Sequence, residues 1–337
     1  MMAESKKSVL HVSPEGANQT LSAALRRWMP DKSWNEIRQL MRARRVLLDG
    51  NLAQDPGYRL KAGQVIKLLE QSLAPPATEQ DVRICYRDAE VVVVEKPAGM
   101  TSIRHPEEMN WPARRRQLQP TLTELLPRVL ARIEAKQAGQ NAGRAVRAVH
   151  RLDRETSGIM VFARNIKAES FLGRQFREHT IRRLYWAIVA GRVEEQTIDT
   201  NLVRDRGDGR RGTASHDEAG KRAVTHVRPL EHLSGFTVVE CRLETGRTHQ
   251  IRIHLADLGH PVCGDKVYGG RGNAKPSSRT AVAPRLALHA GHLGFIHPTS
   301  HRLMEFEAAV PEALQQFLAR LRASSPGTTR RGNSDAS

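Results

Sequence analysis

The chain has 337 residues, of which 39% are hydrophobic, and this is enough for one core of ordinary size and a smaller accessory unit, which excludes a disordered protein. Its 53 Lys and Arg residues outnumber its 36 Asp and Glu residues, so the formal net charge is +17 and an anionic partner, above all nucleic acid, is expected. An apolar run of roughly 18 residues and a secretory leader are both missing, and the three cysteines are widely spaced, so the sequence predicts a cytoplasmic protein without a membrane anchor.

Two helices are predicted near the N-terminus. The first follows from apolar residues spaced at i, i+3, i+4 and i+7, namely Leu21, Ala24, Leu25 and Trp28. Ser33 and Glu36 form a capping box that begins the second helix. Its inward face is predicted to carry Ile37, Leu40 and Met41. The runs 46–48 and 65–68 are predicted strands, and Asp49-Gly50 is a hairpin turn.

The outer face of the second helix is predicted to carry a basic ridge. Arg38, Arg42 and Arg45 fall at i, i+4 and i+7, and Arg44 broadens the ridge. A charged face of this kind is often only solvated, but in so basic a chain a phosphate-tracking surface is favoured. The helix pair, the string "VLLDGN" and the closing "LKAGQVIKL" resemble the S4-like (αL) RNA-binding domain, which implies recognition of structured RNA by this ridge.

A polar, proline-containing linker is predicted at 72–80. After it, Val91–Val94 is a buried strand that ends in the turn Lys96–Gly99. The segment from Pro106 to Arg144 is irregular, with a basic run at 114–116 and a helix predicted at about 122–138.

The segment His150–Gly158 places one carboxylate, Asp153, among basic side chains. A core avoids such polar density, whereas a nucleophile or base needs an ionised carboxylate held by arginines. Residues 156–158 are predicted to form a turn and residues 159–163 a buried strand, so that Asp153 lies on a loop supported by a sheet. Taken alone, Asp153 could equally be a turn residue bonded to its own backbone.

The remaining elements surround two further candidates. Asn165 is predicted to cap a helix, and 184–189 is a strand whose alternation points Tyr185 away from its neighbours, either into a cleft or into the core. Two strands, 223–228 and 236–243, precede a helix that presents one apolar face made of Ile251, Leu255 and Leu258. Arg252 falls on another face of that helix.

Six segments in order closely resemble the RluA-type pseudouridine synthase family: "EKPAG", "HRLDRETSG", "RLYWAIVAG", "LETGRTHQIRIH", "GHPVCGDKVYG" and "LALHAGHLGFIHP". The resemblance covers about residues 81–321 and departs from the family after "KPAG", where the spacer is longer, and at 107–144, which is longer and more basic. Both departures concern substrate contacts more than chemistry.

The resemblance implies isomerisation of uridine in RNA to its C-glycosidic isomer. It assigns Asp153 as the catalytic carboxylate, Arg252 as its ionic partner and Tyr185 as the residue that stacks on the uracil and helps to remove the C5 proton. Arg151 is implied to enter the base stack in place of the flipped nucleotide, and the alternative is that it is a second phosphate clamp. The reaction needs no redox or energy source, so no cofactor is expected, and His249, His254, His260 and Cys263 lack the spacing of a zinc site, so no metal is expected.

The sequence therefore predicts an α+β fold with a mixed, mainly antiparallel catalytic sheet and flanking helices, preceded by a small α/β RNA-binding domain. The predicted boundaries are 18–71 for the S4-like domain, 72–80 for the linker, 81–321 for the catalytic domain and 322–337 for a disordered tail. A monomer acting on structured RNA is expected, with large-subunit ribosomal RNA as the favoured substrate. The alternatives are the same chemistry on tRNA and a non-catalytic ribosome-assembly factor; a glycoside hydrolase would need a second acid at a comparable site.

Overall fold

The computed structural model describes residues 9–49, 51–69, 77–104, 108–110, 116, 119–135, 145–203, 211–214, 220–269 and 282–324. The chain divides into two compact units, Met1–Pro76 with Trp111–Gln119, and Ala77–Asn110 with Pro120–Ser337. Among the helices within these described ranges, none is both long and apolar enough to cross a bilayer.

The first unit is a four-stranded antiparallel sheet with two helices, of which the sequence predicts both helices and the strands at 46–48 and 65–68. Its strands are β1 (Val9–His11), β2 (Val46–Leu48), β3 (Asn51–Leu52) and β4 (Val65–Leu68), in the order β1-β4-β2-β3, and its helices are α1 (Leu21–Trp28) and α2 (Trp34–Arg42). The capping box is present, since the Ser33 hydroxyl accepts from the Glu36 N–H and the Glu36 carboxylate accepts from the Ser33 N–H. Buried apolar side chains of both helices close the core against Ile66.

The second unit is built on one large sheet, which confirms the predicted mixed, mainly antiparallel architecture. Its strands are β5 (Arg83–Arg87), β6 (Val91–Lys96), β7 (Arg147–Ala148), β8 (Ser157–Ala163), β9 (Arg182–Ala190), β10 (Gln196–Val203), β11 (Gly212–Thr213), β12 (Lys221–Leu233), β13 (Phe236–Leu243), β14 (Leu288–Ile296) and β15 (Leu303–Glu307). The main path is β11-β10-β12-β13-β9-β14-β8-β6-β5, with β15 on β14 and β7 on β8. The pairing of β8 with β14 is parallel, and the other pairings of the described strands are antiparallel.

Among the described residues of this unit, four α-helices flank the sheet: α3 (Leu122–Ala135), α4 (Ile166–Arg177), α5 (Gln250–Asp257) and α6 (Glu312–Ala323). The Asn165 side chain accepts from the Ala168 N–H, so the predicted cap of α4 is confirmed. The helix predicted at 122–138 is described as far as Ala135, and the rest of that prediction lies outside the described residues.

The predicted boundaries remain predictions, but the structure has ordered elements that they leave out. Strand β1 pairs with β4 although it precedes residue 18, and Gln119 donates to the Leu52 carbonyl within the first unit. Arg322, expected in a disordered tail, lies in the last turn of α6 and is ion-paired with Glu231 at 2.6 Å. The remainder of the tail and linker residues 72–76 fall outside the described residues.

Two buried histidines make the stability of the fold depend on pH. His254 and His289 are fully buried and hydrogen-bonded to Thr225 and Ser157 respectively, and burial lowers the pKa of each to about 4. Between pH 4 and 6.5 the unfolded chain therefore binds two protons that the folded chain does not bind, and stability falls as the pH falls. We expect the free energy of unfolding to drop by about 2.5 kcal/mol per pH unit near pH 5 from these two groups.

Urea unfolding measured from pH 7 to pH 4.5 tests this expectation. The variant His254→Gln/His289→Gln should give a shallower dependence on pH than the wild type. An identical slope in the two proteins would assign the acid sensitivity to other groups.

Candidate active site

Asp153 lies in the loop between β7 and β8, at the start of a tight turn. The Thr156 N–H donates to the Asp153 carbonyl at 3.2 Å, so the turn spans 153–156. The predicted turn at 156–158 is wrong, because Ser157 is already the first residue of β8. Gly158 allows this early strand: its φ is +126°, and a Cβ there would lie 2.2 Å from the Ala290 carbonyl oxygen of β14. The close parallel pairing of β8 with β14 thus holds one end of the Asp153 loop.

The other support of this loop is a fully buried ammonium group. Lys96, the last residue of β6, donates from Nζ to the carbonyls of Pro97, Met100 and Arg154 at 2.8–3.1 Å. Burial lowers the pKa of Lys96 to about 7, while the three carbonyls accept the hydrogens of its charged form. The Gly99 N–H also donates to the Arg154 carbonyl. The turn after β6 and the Asp153 loop are therefore joined through one side chain.

Arg252 on α5 connects Asp153 to a second, more deeply buried carboxylate. Its NH1 lies 3.4 Å from Asp153 Oδ2, while its Nε and NH2 donate to the two Asp265 oxygens at 2.7 and 2.8 Å. Asp265 also accepts from the N–H groups of Val267 and Tyr268. Burial alone would raise the pKa of Asp265, but Arg252 and the backbone N–H groups give a net lowering. Asp265 thus fixes the Arg252 guanidinium in a position where its NH1 faces Asp153.

The apolar pattern alone suggests that Arg252 lies on a helix surface, but in the structure Arg252 is buried. Residues 250–256 of α5 are all buried, and the Arg252 side chain is 8% exposed. The polar Gln250 holds the helix N-terminus in place, since its Oε1 accepts from the Arg247 N–H and the Thr245 hydroxyl while its Nε2 donates to Val224 O. A short helix buried on all sides has no apolar face to distinguish from a polar one.

Tyr185 lies on β9 and lines the same cleft as Asp153. Its side chain is buried, and burial together with the nearby Asp153 carboxylate raises the pKa of the phenol, against an opposite effect of Arg183. The structure therefore brings the three predicted residues Asp153, Tyr185 and Arg252 to one place, from a loop, a strand and a helix that are distant in sequence.

The cleft has a volume of about 470 Å³ and a basic rim. Its exposed cations are Arg151, Arg177 and Arg247, and Arg183 is buried in its wall, where NH2 donates to the Glu244 carbonyl. Within the described ranges, the structure has no cluster of His, Cys, Asp or Glu suited to hold a metal ion. The cleft can thus accept a polyanion beside one positioned carboxylate and one aromatic ring.

Comparison with known proteins identifies the fold and its chemistry. Residues 90–257 match the model of the RNA pseudouridylate synthase family, and residues 19–66 match the S4 domain. A relative from Zymomonas mobilis, named ribosomal large subunit pseudouridine synthase D, is 37% identical over 271 residues, which is 79% of this chain and 82% of the relative. The chain belongs to the RNA pseudouridylate synthase family.

Further relatives agree with this assignment. A protein of the same name from Xylella fastidiosa is 37% identical over 322 residues, which is 92% of this chain and 91% of the relative. Among solved structures, human RNA pseudouridylate synthase domain containing 4 superimposes with a TM-score of 0.57 at 25% identity, covering 71% of this chain and 93% of the human one. The protein is an RNA pseudouridine synthase with an N-terminal S4 domain.

The S4 domain of this synthase presents a smaller basic ridge than the sequence predicts. Arg38 and Arg42 are exposed on α2. Arg45 lies beyond the end of the helix, where its Nε donates to the Leu69 carbonyl at 2.8 Å, and Arg44 is buried with a left-handed backbone (φ 59°). The helix ends at Arg42, so the i+7 spacing does not continue its face. The predicted Arg114–Arg116 run lies outside the described residues except for Arg116.

Four residues lie at the site although the sequence did not predict them there: Lys96, His249, Asp265 and Tyr268. All four lie in strings that resemble the family, "EKPAG", "RTHQ" and "GDKVYG", and that resemblance was the available signal. The contacts of these four residues could not be predicted, because each contact joins chain segments that are brought together only by the fold.

Proposed function

We propose that this synthase isomerises uridines in large-subunit ribosomal RNA and that Asp153 is its catalytic carboxylate. The observation that carries the assignment is the approach of Arg252 NH1 to Asp153 Oδ2 at 3.4 Å in a basic cleft that also contains Tyr185. The guanidinium orients the carboxylate and compensates its charge, and Asp265 fixes the guanidinium in turn.

Three routes are open to the Asp153 carboxylate in this reaction. It attacks C1′ of the sugar, attacks the uracil ring, or removes a sugar proton. In each route the N1–C1′ bond breaks, the uracil turns while it is held, and C5 bonds to C1′ with loss of the C5 proton. We assign Tyr185 to stack on the uracil and to assist that last proton transfer. Arg151 is exposed at the cleft and is proposed to fill the gap left by the flipped nucleotide.

Ribosomal RNA is favoured as the substrate over tRNA. The relatives from Zymomonas, Neisseria meningitidis and Xylella are named for the ribosomal large subunit, and the chain carries an S4 domain and a net charge of +17. Basic side chains that contact phosphates orient an enzyme on folded RNA, while the residues of the cleft perform the chemistry. We propose a cytoplasmic monomer that works without a cofactor.

Mapping of pseudouridines in cells with and without this protein tests the proposal. We expect specific pseudouridines to disappear from large-subunit ribosomal RNA and to return when the wild-type protein, but not Asp153→Asn, is supplied. Loss of modification from tRNA alone would transfer the same chemistry to tRNA. Restoration by Asp153→Asn would reject the carboxylate assignment.

The two exposed arginines of α2 are proposed to contact RNA phosphates. Replacing Arg38 and Arg42 by Gln leaves Ile37 and Met41 buried, so the helix should persist while RNA affinity falls. We expect the slope of log affinity against log salt to become shallower by up to about 1.8, because each of the two phosphate contacts contributes about 0.7 to 0.9.

A matched control for this pair is Arg192→Gln/Arg320→Gln, which removes the same charge from exposed positions of the other unit. An equal change of slope in both variants would mean that the effect arises from the net charge of the protein and not from phosphate contacts of α2. An unchanged slope in Arg38→Gln/Arg42→Gln would make this helix face merely solvated.

A further inference from the structure

His249 lines the cleft but has no role in the reaction as described above. It precedes α5 and is 28% exposed, so a substrate beside Asp153 can reach it. Its Nδ1 lies 2.9 Å from the Tyr268 hydroxyl, and its Nε2 lies 3.8 Å from Asp153 Oδ1. The imidazole thus stands between a buried phenol and the proposed catalytic carboxylate.

The backbone of His249 is held in a costly conformation that does not serve to cap the helix. The residue is left-handed (φ 60°, ψ 17°) at the N-cap of α5, yet its side chain makes no capping hydrogen bond. The side chain of the adjacent Gln250 holds this turn, through the bonds from Arg247 and Thr245. Non-glycine residues in such conformations are uncommon and are enriched at functional sites, so this one is a reason to look for a function of the His249 side chain.

The two neighbours of the imidazole select the same tautomer. The negative charge of Asp153 favours a proton on Nε2, the nitrogen that faces it, because a carboxylate attracts an N–H and repels a lone pair. A buried phenol needs an acceptor, and Nδ1 supplies one if Nε2 is protonated. Burial lowers the pKa of His249, against a smaller opposite effect of Asp153, so the ring is neutral at neutral pH. Nε2–H therefore points into the cleft from a ring fixed by Tyr268.

The separation of 3.8 Å between Nε2 and Asp153 Oδ1 is too long for a hydrogen bond. This N–H is consequently available to an acceptor placed beside the carboxylate. We propose that His249 is a catalytic residue whose Nε2–H donates a hydrogen bond to a carbonyl oxygen of the target uracil. The proposal rests on the proposed function, since it takes Asp153 as the reaction centre.

The three routes open to Asp153 share a feature that gives this donor a purpose. When the N1–C1′ bond breaks, its electron pair goes to the uracil and spreads over N1, O2 and O4. When the carboxylate adds to the ring instead, the charge develops on the ring and its carbonyl oxygen. In every case negative charge accumulates on a uracil oxygen while His249 keeps its proton. A fixed hydrogen-bond donor directed at that oxygen stabilises such charge.

The first test is His249→Asn, because Asn tolerates the left-handed backbone but is too short to replace the imidazole. We expect the single-turnover rate on a transcript containing the target uridine to fall on the order of 10²-fold to 10³-fold, with RNA affinity unchanged. His301→Asn is the matched control, since His301 is also left-handed (φ 52°) but exposed and outside the cleft. A rate for His249→Asn within about threefold of the wild type overturns the proposal.

A second measurement separates contact with uracil from support of Asp153. RNA is prepared with 2-thiouridine or 4-thiouridine at the target position, because sulfur accepts hydrogen bonds more weakly than oxygen. We expect one of the two substitutions to slow the wild type, and that slowing to vanish in His249→Asn. If neither slows the wild type, or if the slowing persists in the variant, His249 does not contact a uracil carbonyl and the proposal is overturned.

Failure of this inference is distinguishable from failure of the proposed function. An inactive wild type, or an Asp153→Asn variant as active as the wild type, would reject the reaction centre itself. Loss of turnover in Asp153→Asn together with an unaffected His249→Asn would reject only the role of His249.

Discussion

We expect Asp153→Asn to abolish pseudouridine formation, with a fall in single-turnover rate of at least about 10³-fold, while the fold and RNA affinity are retained. Asparagine has the same shape as aspartate but cannot act as a nucleophile or base. The negative charge that is lost with Asp153 is needed for the reaction and not for RNA binding. The turn is preserved because it is closed by backbone atoms, the Thr156 N–H and the Asp153 carbonyl. Single-turnover kinetics and RNA binding on the same transcript provide the measurement.

Glu155→Gln is the matched control for this variant. Glu155 is an acid in the same turn, it is ion-paired with Arg154 at 3.8 Å, and its side chain is 42% exposed. We expect it to retain most of the turnover. Substantial turnover by Asp153→Asn, or an equal loss in both variants, would contradict the assignment of Asp153.

The second large effect is expected at Arg252. Replacement by Met should remove turnover, because Asp153 loses its orienting cation, and should also lower the free energy of unfolding by about 3 to 5 kcal/mol, because Asp265 remains as an uncompensated buried charge. The guanidinium makes two bonds to Asp265 and one approach to Asp153, so Arg252→Lys, which cannot form the paired bonds, should recover only part of either property.

The double variant Arg252→Met/Asp265→Asn separates the two consequences. Removing the buried carboxylate should restore much of the stability lost in the single variant, but not the turnover. Urea unfolding and single-turnover kinetics on the wild type, Arg252→Met, Asp265→Asn and the double variant complete the cycle. Recovery of turnover along with stability would mean that Arg252 acts only by keeping the protein folded.

Helices and buried strands could be predicted because short-range patterns determine them. The spacing of Leu21, Leu25 and Trp28 predicts α1, and the capping box predicts the start of α2, where the structure has them. The valine run of β6 needs no partner to be recognised as buried. Errors arose where a pattern was extended past an element, as at Arg45, or where a strand began inside an apparent turn, as at Ser157.

At the candidate site, too, some features could be predicted from the sequence and others depend on the tertiary structure. The sequence by itself predicted Asp153, Tyr185 and Arg252 as site residues, from a polar cluster beside buried strands and from six ordered motifs, without knowledge of contacts. Only the tertiary structure decided their partners. Lys96 reaches the Arg154 carbonyl, 58 residues away in sequence, and Arg252 is fixed by Asp265 rather than by Asp153. Such pairs depend on chain segments that meet only when the sheet closes, and a buried charge takes whichever partner the packing leaves within reach.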